Sequence, residues 1–222
     1  MARPHKALLD RERITAAALE LVDETGDFTV PAMARRLNVQ TASIYHHVEG
    51  RAGIVELLRD WIGRQMDYSP LELRPWDRAM AGFARSYRAA FAAHPSLVAL
   101  LATSTVRAPS AILAYERMAV VLNEAGFAPQ DVIAVLTALE NLLLGSALDL
   151  AAPAVMWEIP PGADAPVLAR LLAAAPQGID RADRAFELGL DALLSGLRLR
   201  LEAGSPEPGS PGAGPGAGTG ES

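Results

Sequence analysis

The sequence predicts an all-α protein: an N-terminal three-helix unit built around a helix-turn-helix, followed by a larger helical body. Three observations carry this. Half of the 222 residues are hydrophobic, and Ala and Leu, both strong helix formers, dominate them. Apolar residues recur three and four apart, the period of one helix face, and almost nowhere alternate as in a half-buried strand. Prolines fall at the starts of these periodic stretches or between them, where they do least harm to a helix.

Residues 1–9 read as a short basic arm. Asp10 caps a first helix through Thr25, with Ile14, Ala17, Ala18, Leu21 and Val22 on one stripe and Gly26 as its stop. Thr29 is a good N-cap for a second helix. Pro31 is tolerated in its first turn, where the missing N–H would have no partner anyway. Ala34 and Leu37 then share one face. Asn38 is among the few non-Gly residues that accept the left-handed backbone of a tight turn. Val39 plugs the angle between two helices, and Ile44 and Val48, four apart, point back to the core. A fourth helix, from about Arg51 to Gln65, spaces Ile54, Leu57, Leu58, Trp61 and Ile62 for burial. Its N-terminus is a candidate phosphate site.

Tyr68 to Pro75 holds two prolines and marks a boundary, so the N-terminal domain is placed at residues 10–67 and the helical body at 68–202. In the body, Trp76 to His94 is a long helix with Met80, Phe83, Tyr87 and Phe91 nearly in line, broken by Pro95. Helices follow over Leu97–Thr103, Ala111–Ala125 (stopped by Gly126) and from Pro129 to about Leu150. Residues 151–165 are a Pro-rich loop. A short helix spans Val167–Ala174, and Asp180 caps a last helix from Arg181 to about Leu201. In residues 203–222 eleven of twenty residues are Gly or Pro, which predicts a disordered tail.

The second and third helices leave Thr41, Ala42, Ser43, Tyr45 and His46 facing outward. Small, hydroxyl and aromatic side chains suit a helix laid in a major groove. The net charge of −6 at first argues against nucleic acid. However, residues 1–64 carry nine basic and nine acidic side chains, whereas the remainder carries eleven against seventeen. All the excess acid is therefore C-terminal. Arg3, Lys6, Arg11, Arg13, Arg35, Arg36 and Arg51 gather near the proposed reader, and local charge governs phosphate binding. The same two short amphipathic helices also fit a helical ligand-binding or scaffold protein that does not read DNA. That alternative leaves the Thr41–His47 face without a purpose.

The order Ala34, Leu37, a turn residue, Val39, Ser43-Ile44-Tyr45, the His46-His47 pair and Arg51 resembles the DNA-binding domain of the TetR (tetracycline repressor) family. Trp76 to His94, the Gly126-Phe127 break and Leu144-Gly145 with Asp149 extend the similarity to the tetracycline-repressor branch, over most of residues 10–150. The resemblance implies a cytoplasmic homodimer bound to double-stranded, pseudo-palindromic operator DNA and released by a small-molecule effector. By position it implies that Thr29 and Arg51 contact phosphates and that Thr41, Ala42 and Ser43 face base edges, with Tyr45, His46 and His47 flanking them. The helices from Pro129 and Arg181 would build an intersubunit four-helix bundle, through Leu139, Leu143, Ala147, Leu190, Leu194 and Leu197. Two departures matter. The family's drug–magnesium ligands fall here near Met66, Gly82-Phe83 and Leu101, which cannot hold a metal, so tetracycline–magnesium is not the expected ligand; only the acidic Asp149 survives. Gln40 stands where relatives carry a better N-cap, so Thr41 is expected to cap instead. The expected pocket is apolar and aromatic, lined by Tyr87, His94, Leu101, Tyr115, Met118, Asn141 and Trp157.

Other chemistries find little support. His46 and His47 are adjacent and diverge by about 100° on a helix, so they make no bidentate metal site. Ser43 and Ser104 lie in no nucleophile-elbow context. No catalytic residue, metal or cofactor is expected. The chain has no Cys, which excludes a disulfide framework and is compatible with a reducing cytoplasm. No signal peptide is visible. Glu140, Asn141 and Asp149 interrupt the apolar run from Val132 to Leu150, which reads as a buried helix rather than a membrane span.

Overall fold

The structure, a computed structural model, describes residues 9–204. The expected arm and tail otherwise lie outside the described residues. The described residues form ten α-helices and one 3-10 turn, with no strand among them.

α1 (Arg11–Thr25) starts where the Asp10 carboxylate accepts from the Arg13 N–H at 2.8 Å and ends where Gly26 turns left-handed at φ 81°. α2 (Val30–Leu37) is capped by the Thr29 hydroxyl, which accepts from the Ala32 N–H. Asn38, at φ 52°, makes the turn into α3 (Thr41–Tyr45). The expected Thr41 cap does not form. Gln40 takes the N-cap position with no side-chain bond, and Thr41 opens the helix. α4 runs Gly50–Gly63.

These four helices close around Ile14, Ala18, Met33, Ile44, Ile54 and Leu58, all essentially without solvent contact. Removing such side chains from water drives the packing, at roughly 1.5–3 kcal/mol for each large one. Phe91, Leu97, Val98, Leu101 and Ala147 from the body belong to the same cluster. The boundary near residue 67 is thus a feature of the chain and not of the packing.

A short 3-10 turn, Ser69–Glu72, leads to α5 (Trp76–Ala92), α6 (Ser96–Ala102), α7 (Pro109–Glu124), α8 (Pro129–Asp149), α9 (Pro166–Ala174) and α10 (Gly178–Gly204). The 3-10 turn lies so close to α5 that a Cβ on Gly82 would sit 2.5 Å from that of Pro70. A second core joins α5, α7, α8 and α10 through Met80, Phe83, Leu122, Leu139, Phe186 and Leu190. α8 is long and apolar enough to cross a bilayer by composition, but one face of it is buried in this core.

Three sequence expectations need correction here. α10 begins at Gly178, so Asp180 lies inside its first turn instead of capping it, where its charge still suits the helix dipole. The same helix continues to Gly204, two residues into the expected tail. Leu139, Leu143, Ala147, Leu190, Leu194 and Leu197, expected at a subunit interface, are all buried inside the single chain. The protomer's own core consumes the large aliphatic stripe of each helix. What α8 and α10 leave outside is a mixture of small residues with Leu148, Leu188 and Leu199.

Candidate nucleic-acid interface and internal cavity

Burial of Ile44 and Val48 fixes the roll of α3 and turns Thr41, Ala42, Tyr45 and His46 to solvent, with Ser43 and His47 half-buried. Tyr45 stands out, since a large aromatic on a short polar helix is 55% exposed. Arg11 Nε donates to the His47 carbonyl at 3.2 Å and ties the start of α1 to the end of α3.

The basic residues nearby are less free than the sequence implies. Arg51 donates through Nη1 to the Phe28 carbonyl and through Nη2 to Asp27, both at 2.6 Å, and its guanidinium lies 4.5 Å from the Phe28 ring centre. It latches α4 to the α1–α2 turn. That hydrogen bond, outweighing a small desolvation cost, holds the Asp27 carboxyl below its usual range. Arg36 spans Glu20 and Glu24 of α1. The Thr29 hydroxyl oxygen accepts the cap bond from the Ala32 N–H, which holds the side chain at the start of α2. Arg35 is exposed and forms no ion pair among the described residues. Arg3 and Lys6 lie outside those residues.

In the body, α4, α5, α6, α7 and α8 surround a cavity of about 80 Å³. One wall is an aromatic ladder: Tyr68 stacks on Phe83 at 5.6 Å, Phe83 meets Tyr87 at 6.3 Å, and Tyr87 meets Phe91 at 5.0 Å. Phe83, Tyr87 and Phe91 line up because they are four apart on α5. Tyr87, Leu101, Tyr115 and Met118, expected at a pocket, line this cavity. So do Met66, Phe83 and Leu101, the positions expected to exclude a metal; among the described residues no cluster of three metal-ligating side chains exists. The donor set does not suit a drug–magnesium complex.

The other three expected pocket residues sit elsewhere. His94 lies within 2.8 Å of Asp23 on α1 and packs edge-on to Trp61 of α4, at the joint between reader and body. Asn141 is on the exposed side of α8. Trp157 is exposed beside Arg181, whose guanidinium forms a two-pronged pair with Asp149. Asp149, the surviving acidic position, is therefore neutralised within the chain.

Two polar residues on the cavity wall were not anticipated. Arg59 is buried: Nε pairs with Glu56 at 3.2 Å, and Nη2 donates to the carbonyls of Leu101 and Ser104 at 3.1 and 3.2 Å. Glu56 also accepts from the Arg107 N–H at 2.7 Å, so one pair knits α4 to the end of α6 and the following loop. Glu140 accepts from the Tyr115 hydroxyl across the α7–α8 contact. Burial, reinforced by Glu140, pushes the Tyr87 and Tyr115 phenols well above their ordinary range, so both stay protonated donors. For Arg59 the available signal was its i,i+3 spacing from Glu56, and for Glu140 a lone charge within an apolar run.

Residues 69–201 match the family model of the tetracyclin repressor-like C-terminal domain. The chain belongs to the TetR family. An HTH-type transcriptional regulator of Saccharopolyspora erythraea is 31% identical over 144 residues, covering 64% of this chain and 61% of that protein. The class D tetracycline repressor of Escherichia coli is 28% identical over 203 residues, 89% of this chain and 93% of the repressor. Apo ActR from Streptomyces coelicolor shares the fold with a TM-score of 0.74 at 24% identity, covering 90% of this chain and 99% of ActR. The chain is a TetR-family transcriptional regulator with the all-α architecture of these proteins.

Proposed function

We propose that this TetR-family protein is a homodimeric repressor that grips a pseudo-palindromic operator with α3 and lets go when a small aromatic ligand occupies the internal cavity. The observation that carries the reading is the sharing of α4. Ile54, Val55 and Leu58 pack in the core behind the reader, while Arg59, Ile62 and Gly63, one turn on, line the cavity. A ligand that widens so small a cavity must push on the helix that positions the reader. It acts only if it binds the DNA-incompetent arrangement better, since equal affinity for both would shift nothing.

In this reading Thr41, Ala42 and Ser43 face base edges and Tyr45, His46 and His47 flank them. Thr29 and Arg51 serve chiefly to hold the reader's shape. Arg11, whose Nε reaches the His47 carbonyl, and Arg35 replace them as exposed cations without an ion partner among the described residues. The dimer forms along the outer faces of α8 and α10. Ala134, Ala138, Asn141, Gly145 and Leu148 follow one another four and three apart, as do Ala185, Leu188, Ala192, Gly196 and Leu199 in their own order. Both rows average 3.5 residues per step, the repeat of helices that pack as a coiled seam.

Selection of random duplex DNA at roughly physiological salt, where nonspecific phosphate attraction is weak, tests the reading. Enrichment of an inverted repeat by the wild type and its loss in a folded Tyr45→Ala variant is the expected result. A folded dimer that enriches nothing would favour a helical sensor without DNA specificity.

A further inference from the structure

Arg59 and Glu140 bring opposite charges to the lining of one cavity, but they are not balanced alike. Arg59 has its counter-ion in Glu56 and two carbonyls besides. Glu140 is ion-paired with no arginine among the described residues, and its partner is the neutral Tyr115 hydroxyl. Glu140 is half-buried, and a carboxylate at the edge of a nonpolar cavity is stabilised by a cation. The rest of the lining supplies what a cation in a nonpolar site also needs, since it includes the aromatic side chains Tyr68, Phe83, Tyr87, Phe91 and Tyr115.

Tyr115, Glu140 and Leu136 also line a second groove, on the outer surface between α7 and α8, together with Ile112, Ile133 and Thr137. The wall between the cavity and solvent at this place is the Tyr115–Glu140 hydrogen bond and one leucine. We propose that this pair is both gate and selector, and that the effector is a planar aromatic carrying a positive charge, such as a protonated heteroaromatic amine. Its N–H groups replace the Tyr115 hydroxyl on Glu140 as it enters, and the aromatic ladder then receives its ring. This proposal deepens the effector reading given above and rests on it.

The test uses three two-ring probes of similar size on the full-length protein: protonated 4-aminoquinoline, neutral 1-naphthylamine and anionic 1-naphthoate, with binding followed by calorimetry. The cation is expected to bind at least about tenfold more tightly than the neutral probe. Glu140→Gln erases that preference, whereas Tyr115→Phe, which opens the latch and keeps the carboxylate, retains it and speeds association. A merely structural role for Glu140 would lower all three affinities together and leave their ratio unchanged. The proposal is overturned if the neutral probe binds as well as the cation, if the Glu140→Gln ratio matches wild type, or if the anion binds best through Arg59. In each of those outcomes the cavity still binds ligand and the effector reading stands. Failure of all three probes to bind overturns both.

Discussion

At Asn38 the backbone is left-handed, a conformation that costs an ordinary L-residue roughly 1–2 kcal/mol and glycine nothing. Asn38→Gly is therefore expected to leave the denaturation midpoint almost unchanged, while Asn38→Ala lowers stability by about 1 kcal/mol. A larger loss in the glycine variant would mean that the asparagine side chain itself matters. The Asp27–Arg51 pair gives a pH signature. Arg51 lowers the Asp27 pKa in the folded protein, so the pair stabilises above the usual carboxyl range, and that contribution fades as pH falls through it. In urea titrations Asp27→Asn should be less stable than wild type at neutral pH, with the gap closing in acid. A gap independent of pH would assign the effect to packing. Asn38 could be read from sequence because its role is local. His94 could not, because its partner lies 71 residues away, and nothing in a lone histidine announces Asp23 and Trp61.

On the scale of whole helices, starts and stops were legible wherever a single residue does the work, as at Asp10, Thr29, Gly26 and Asn38. They were misread at α10, where the helix begins at Gly178 without needing the Asp180 side chain. Gly82 shows a constraint that no periodicity reveals. It looks like a weak point in α5, yet it is where the Pro70 ring comes into contact. Alanine there would gain about 1 kcal/mol in helix propensity but force the 3-10 turn away, an overpacking cost of about 1–3 kcal/mol. Gly82→Ala is thus expected to lose about 1 kcal/mol in chemical denaturation, against the usual sign for this change within a helix. Stabilisation would show that the turn moves freely. Because that turn carries Tyr68 onto Phe83, the variant should also perturb the cavity wall.

The proposed subunit seam depends on which face of α8 and α10 looks outward, and the residues that the sequence suggested for it are spent in the chain's own core. Large aliphatics are attractive at any interface, and the count of apolar positions exceeds what one core face needs. Only the fold decides that the chain's own core takes Leu139, Leu143, Leu190 and Leu194 and leaves Leu148, Leu188 and Leu199 open. Leu188 is 71% exposed, so a charge there costs the single chain little. At a two-fold interface the same substitution counts twice, because each subunit brings it to the shared seam. Leu188→Glu is therefore expected to sediment as a folded monomer with a nearly unchanged unfolding midpoint. Leu190→Glu, one turn-face away and buried at 1% exposure, should fail to fold. Each reader in the Leu188→Glu monomer would meet its half-site alone, so operator affinity should fall on the order of a hundredfold or more through lost linkage between the two sites. A Leu188→Glu protein that remained dimeric and bound the operator normally would move the subunit interface off this seam, and the α4 coupling would then have to act within one reader instead of across a pair.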